Sequence, residues 1–230
     1  MNIIITGSSK GLGKAFATIF ANNNNHIFLC ARNFAELENT AKELQHTAST
    51  IHYKQVDMRQ KNEVLDFANW CLGFGIPDII INNAGNFLPG SIHNEADNIL
   101  EEMIETNLYS AYHLTKQLLP QMMQKKAGHI FNICSIASVQ AYTNGGSYSI
   151  SKFAMLGFSK NLREELKPYQ IKVTSVLPGA VYTNSWAGSG VDETRIMQDI
   201  DIAKMVYAAS QLSPQACVEE IILRPQLGDL

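Results

Sequence analysis

Tyr148 and Lys152 stand four residues apart in the segment Tyr-Ser-Ile-Ser-Lys, and on a helix that spacing puts a phenol and an ammonium group on one face. A free phenol titrates near ~10, too high for ready proton exchange at neutral pH, but a cation held within about 4–6 Å favours the phenolate and lowers that value. Tyr148 is thereby a candidate general acid/base. Ser135 closes the apolar run HIFNICS, residues 129–135. At the end of a buried strand its hydroxyl can donate a hydrogen bond to a carbonyl oxygen and polarise it. A Tyr-x-x-x-Lys pattern alone is common, so the rest of the chain must supply its context.

Positioning these side chains requires a strand over 129–135, a polar connection, and a helix over 148–167. The first residues supply a second half to the site. Asn2–Thr6 is a β-branched run without polar alternation, as in a strand covered on both faces. The turn Gly7, Ser9, Lys10, Gly11, Leu12, Gly13 leads straight into a helical apolar pattern. Strand, glycine turn and helix together make a phosphate site, because glycines let the backbone approach a pyrophosphate and the helix start offers free N–H groups. The glycines are spaced Gly-x-x-x-Gly-x-Gly, a departure from the commoner dinucleotide fingerprint. A second strand is expected over 26–31. A ribose-binding carboxylate would follow it in an NAD site, yet the chain reads Ala31-Arg32. Arg32 and Lys10 are cations suited to a 2′-phosphate, which favours NADP(H).

Further strands are expected over 51–56, 79–81, 171–177 and 219–223, and helices over 34–45, 61–72, 98–125 and 199–211. This alternation predicts a single-domain α/β protein over residues 1–230, a Rossmann-type doubly wound parallel sheet of about seven strands with helices on both faces. Asn83, Ala84 and Gly85 follow the fourth strand, where ligands of parallel sheets bind. Asn107 falls inside a long helical stretch, an unfavourable place for asparagine that suggests a polar task.

Composition narrows the class. In 230 residues, 18 basic side chains against 21 acidic ones leave no electrostatic footprint for nucleic acid or a membrane surface. The four cysteines show no Cys-x-x-Cys pair, and His93 and His113 have no partners at ligand spacing, so no metal site is expected. Strand-like sequence from Asn2 leaves no room for a leader, and no apolar run reaches the ~18 residues of a membrane span, so a cytoplasmic protein with reduced thiols is expected.

The sequence resembles the short-chain dehydrogenase/reductase family, specifically its NADP-preferring carbonyl reductases. The likeness rests on TGSSKGLG at 6–13, Asp57, NNAG at 82–85, Asn107, Ser135, YSISK at 148–152 and PGAVYT at 178–183. It implies a catalytic group of Ser135, Tyr148 and Lys152, with Asn107 supporting a water in a proton relay. It implies that Asp57, with Met58 beside it, contacts the adenine, that Asn83, Ala84 and Gly85 line the cofactor, and that Val181 and Thr183 fix the nicotinamide amide. Tyr148 and Lys152 would border the cofactor too, Lys152 through the nicotinamide ribose. Phe87, Tyr142 and Trp186 lie near the expected mouth and suit an apolar pocket. The implied activity is NADPH-dependent hydride transfer between the nicotinamide and a small carbonyl or alcohol, with either direction open, by a homodimer or homotetramer. The alternative is a dinucleotide-binding redox sensor without turnover, which would have no use for the proton relay.

Overall fold

The β-branched run Asn2–Thr6 forms strand β1, buried at every position after Asn2. The computed structural model describes residues 1–183 and 190–229. From β1 the chain alternates through α1 (Gly11–Phe20), β2 (His26–Ala31), α2 (Phe34–Leu44), β3 (Thr50–Gln55), α3 (Lys61–Leu72) and β4 (Ile79–Asn82). It continues through α4 (Ile99–Ile104), α5 (Ser110–Lys125), β5 (Gly128–Ile133), α6 (Gly146–Leu166) and β6 (Ile171–Pro178). Two short strands, β7 (Val181–Tyr182) and β8 (Met197–Gln198), pair with each other before α7 (Asp199–Ser210) and β9 (Glu220–Leu223).

The main sheet has seven strands in the order β3-β2-β1-β4-β5-β6-β9, each pair parallel. The doubly wound single sheet expected from the sequence is therefore present. Because successive strand residues face opposite sides, Ile3, Ile5, Ile27 and Leu29 pack under α1, α2 and α7. Ile4, Phe28 and Ile80 pack on the other face, under α3, α5 and α6. Each such fully buried side chain is worth roughly 1.5–3 kcal/mol of transfer free energy. Between β1 and β4 the winding reverses direction, and the carboxyl ends of those two strands open a crevice.

Three local departures shape the site. The helix expected over 98–125 is interrupted by a π-turn, Glu105–Tyr109, that contains the buried Asn107; extra-wide turns of this kind re-aim side chains within a helix. The strand expected to reach Ser135 ends at Ile133, and Ser135 instead caps a short 3₁₀ turn, Ile136–Ser138. Helix α6 starts at Gly146, which places Tyr148 in its first turn.

Candidate active site

The glycine turn owes its form to contacts a side chain would destroy. A Cβ on Gly13 would lie 2.1 Å from the Gly7 carbonyl oxygen, and Gly7 holds a φ of +63° with Ala84 Cα packed against it. Such a turn accepts only glycine at both places. Asn83 bolts it to the end of β4: its Nδ2 donates to the carbonyls of Thr6 (2.9 Å) and Gly7 (3.0 Å). Thr6 Oγ1 accepts from the backbone N–H groups of Asn83 and Ala84. Helix α1 then begins behind Lys10 without any side-chain cap, leaving its first N–H groups directed at the crevice. This uncapped start, with a backbone surface bare of side chains, is the cradle a pyrophosphate requires, and the residues present fit a dinucleotide.

The crevice is a continuous cleft of about 1230 Å³, large for a drug-sized ligand and apt for a longer one. Its walls include every residue singled out in the glycine turn, together with Arg32, Asp57, Met58, Asn83, Ala84, Gly85, Phe87, Ser135, Tyr142, Tyr148, Lys152, Val181 and Thr183. Gly11 sits against Thr183, so the turn meets the segment after β7. Trp186 lies outside the described residues.

At the far end of the cleft the Ser135 Oγ accepts from the backbone N–H of Ala137 at 3.1 Å. Its own O–H stays available as a donor and lies near the Tyr148 phenol, whose ionised form it favours. The Lys152 ammonium lies 5.8 Å from the centre of the Tyr148 ring and donates to the carbonyl of Ile133 at 2.9 Å. The ring of Phe87 meets that of Tyr148 edge-on at 4.8 Å. Ser, Tyr and Lys therefore converge as expected.

Their electrostatics correct one expectation. Tyr148 is not drawn toward the phenolate: burial pushes its phenol up to about 12, and the neighbouring Ser135 hydroxyl only partly offsets this. Burial also holds the Lys152 ammonium below its usual range. Desolvation is the leading cause of both shifts, so at neutral pH the phenol keeps its proton.

Asn107, expected to support a water in a proton relay, is buried beside the cleft. Its Oδ1 accepts from the Asn86 N–H (2.7 Å), and its Nδ2 donates to the Asn86 carbonyl (3.0 Å) and to Ser151 Oγ (2.9 Å). It ties the loop after β4 to α6, with Gly85 wedged between it and Lys152. Asp57 borders the cleft, but Arg59 grips its carboxylate through Nε and Nη2, the latter at 2.8 Å, and holds it below the ordinary carboxylate range.

Arg59, Glu36 and Asp229 are among the cleft residues that the sequence did not point to. Arg59 had a signal, two positions beyond Asp57. Glu36 comes from the first turn of α2, and Asp229 from the C-terminal tail, which Arg195 holds through the carbonyls of Gly228 and Asp229. Neither has a local marker in sequence.

Comparison with known proteins agrees with this architecture. The short chain dehydrogenase family model matches residues 1–194. Sepiapterin reductase of Chlorobaculum tepidum is 32% identical over 99% of this chain and 97% of its own length. Among solved structures, the alcohol dehydrogenase of Thermococcus sibiricus complexed with 5-hydroxy-NADP superposes with a TM-score of 0.89 at 27% identity, covering 97% of this chain and 96% of that one. The L-sorbose reductase of Gluconobacter frateurii complexed with NADPH and L-sorbose gives 0.88 at 26% identity, over 96% and 94% of the two chains.

Proposed function

Because the chain belongs to the short-chain dehydrogenase family, we propose that it is an NADP(H)-dependent oxidoreductase that reduces the carbonyl of a compact, planar substrate of the pterin kind. The observation that carries this reading is the convergence of the Ser135 hydroxyl, the protonated Tyr148 and Lys152 at one end of a cleft whose other end is the glycine cradle. When bound, the nicotinamide supplies the hydride that adds to the carbonyl carbon. Ser135 donates to the carbonyl oxygen and aligns it. Tyr148 gives its proton to that oxygen as the C=O double bond becomes a C–O single bond, so carbonyl, hydride and proton together yield the alcohol. Lys152 spends one N–H on Ile133 and has two more donors for ribose hydroxyls and for the phenolate that proton transfer leaves behind.

Lys10 and Arg32 supply cations for a 2′-phosphate, in keeping with the NADP-type cofactors in the related structures. The substrate class draws support from the similarity to a sepiapterin reductase and from the cleft lining, where Phe87 and Tyr142 offer ring walls and Asp229, paired with Arg224, a carboxylate. The four cysteines are unpaired, which suits a cytoplasmic setting. Among the described residues no helix is long and apolar enough to cross a membrane.

A homodimer or homotetramer fits the exposed Tyr109, Tyr112, Ile150 and Phe153 along the π-turn, α5 and α6, apolar side chains suited to burial against a second copy. Sedimentation at a monomer's mass would exclude it. The activity itself is tested by NADPH oxidation over a panel of pterin, diketone, quinone and simple ketone substrates. Turnover of the pterin carbonyl above the others is expected. No oxidation with any carbonyl would overturn the reading.

A further inference from the structure

The sequence shows no carboxylate at the end of β2, where one would bind an unphosphorylated adenosine ribose, but the first turn of α2 brings one, Glu36, against the glycine turn. Helix α2 is pinned to the glycine turn by Thr40, whose Oγ1 donates to the Ser9 carbonyl at 2.8 Å. Glu36, one turn earlier on the same face, is thereby held against that turn. Its backbone N–H is fixed by the capping side chain of Asn33. One carboxylate oxygen accepts from Ser9 Oγ at 3.3 Å, and the other pairs with Lys10 Nζ at 3.5 Å. Ser9, Lys10, Arg32 and Glu36 all line the cleft. The residues that would greet a 2′-phosphate thus include a negative charge among two cations.

We infer that Glu36 limits the preference for the phosphorylated cofactor: its carboxylate opposes a 2′-phosphate and offers an acceptor to a free 2′-hydroxyl, so the protein binds NADH as well as NADPH. The inference rests on the functional reading above and concerns the cofactor, not the substrate. The Lys10–Glu36 pair is long and both side chains are substantially exposed, so it is weak and easily exchanged. Lys10 can turn to a phosphate, while the carboxylate, on a helix anchored at Thr40, stays nearby. A hydroxyl donates to that carboxylate at no electrostatic cost, whereas a phosphate close to it is repelled.

The test is calorimetric titration of NADPH and NADH into the whole protein, which needs no turnover. Glu36→Gln should tighten NADPH and weaken NADH, raising the ratio of the NADH to the NADPH dissociation constant about tenfold, the scale of one charge interaction near a surface. Glu36→Ala should shift the ratio in the same direction, which covers the case in which the glutamine variant folds poorly. Arg32→Gln should weaken NADPH alone, showing that the titration senses this end of the cleft. An unchanged ratio in both Glu36 variants, or a weaker hold on NADPH, overturns the inference while leaving the oxidoreductase reading standing. Failure of the unaltered protein to bind either dinucleotide overturns both.

Discussion

A phenol and an amine enclosed together are under opposing influences: each charge would stabilise the other, and removal from water penalises both. Around Tyr148 and Lys152 the second influence prevails, with the phenol pushed up to about 12 and the amine below its usual range. The consequence for catalysis has a sign. A phenol that holds its proton well above neutral pH stays wholly in its acid form near neutrality, so reduction should proceed at a rate nearly independent of pH across the neutral range. Alcohol oxidation needs the phenolate, and its rate should climb close to tenfold per pH unit over the same range. Initial rates in both directions between about pH 6 and 9 check this. A reduction rate that falls tenfold per unit from pH 6 would show that the phenol titrates far lower than its burial dictates. The identities of Ser135, Tyr148 and Lys152 were legible because residue type and helical spacing suffice to nominate them. The direction of the phenol's shift was not, since burial depends on the walls that loops and neighbouring helices build around it. Asn107 was legible as a polar residue with a task, but its engagement with Asn86 and Ser151 depends on a π-turn that nothing in the local sequence signals.

At the scale of elements, the centre of the sheet is stitched by polar groups as well as filled by apolar ones. Asn82 Nδ2 donates to Thr115 Oγ1 and Asn132 Oδ1, and Asn132 Nδ2 donates to Ser159 Oγ, which also accepts from Ser175. This chain of bonds holds β4, β5 and β6 to α5 and α6, fixing the helix that carries the catalytic pair. Beside it on β5, His129 is buried and stacked on Phe131 with ring centres 3.9 Å apart. Thr174 Oγ1 donates to the Val218 carbonyl at 2.6 Å, so it accepts from His129 Nε2–H at 2.7 Å. Burial pushes its pKa down to about 3, whereas the unfolded chain takes up this proton near ~6.5. Between those values the unfolded state binds more protons, and stability falls as pH drops, by at most about 1.4 kcal/mol per unit from this group. The urea midpoint should therefore decline between about pH 7 and 5, and His129→Gln should flatten that decline. An identical slope in the variant would assign the acid sensitivity to other groups. The strand beginning at His129 was legible from its apolar run, but a histidine heading such a run reads equally well as a surface residue.

For the whole molecule, strand and helix order was legible from end to end because a parallel sheet covered on both faces writes itself as apolar runs alternating with amphipathic ones. Long-range closures were not. The tail that brings Asp229 to the cleft, the α2 turn that brings Glu36, and the pairing of Val181 with Met197 join residues whose local sequence is ordinary. These closures convert a generic dinucleotide crevice into a particular one, with aromatic walls at one end and mixed charge at the other. They also explain why family membership specifies the reaction type more tightly than the substrate. The central claim is that one cleft holds a reduced nicotinamide cofactor and a carbonyl side by side, with Tyr148 as the source of the proton. Its most direct test is NADPH oxidation by Tyr148→Phe with the best carbonyl of the panel, alongside calorimetric titration of NADPH into the same variant. The account predicts turnover reduced at least ~100-fold, the usual scale for losing a general acid, with NADPH affinity changed no more than a few-fold; turnover close to that of the unaltered protein would contradict it.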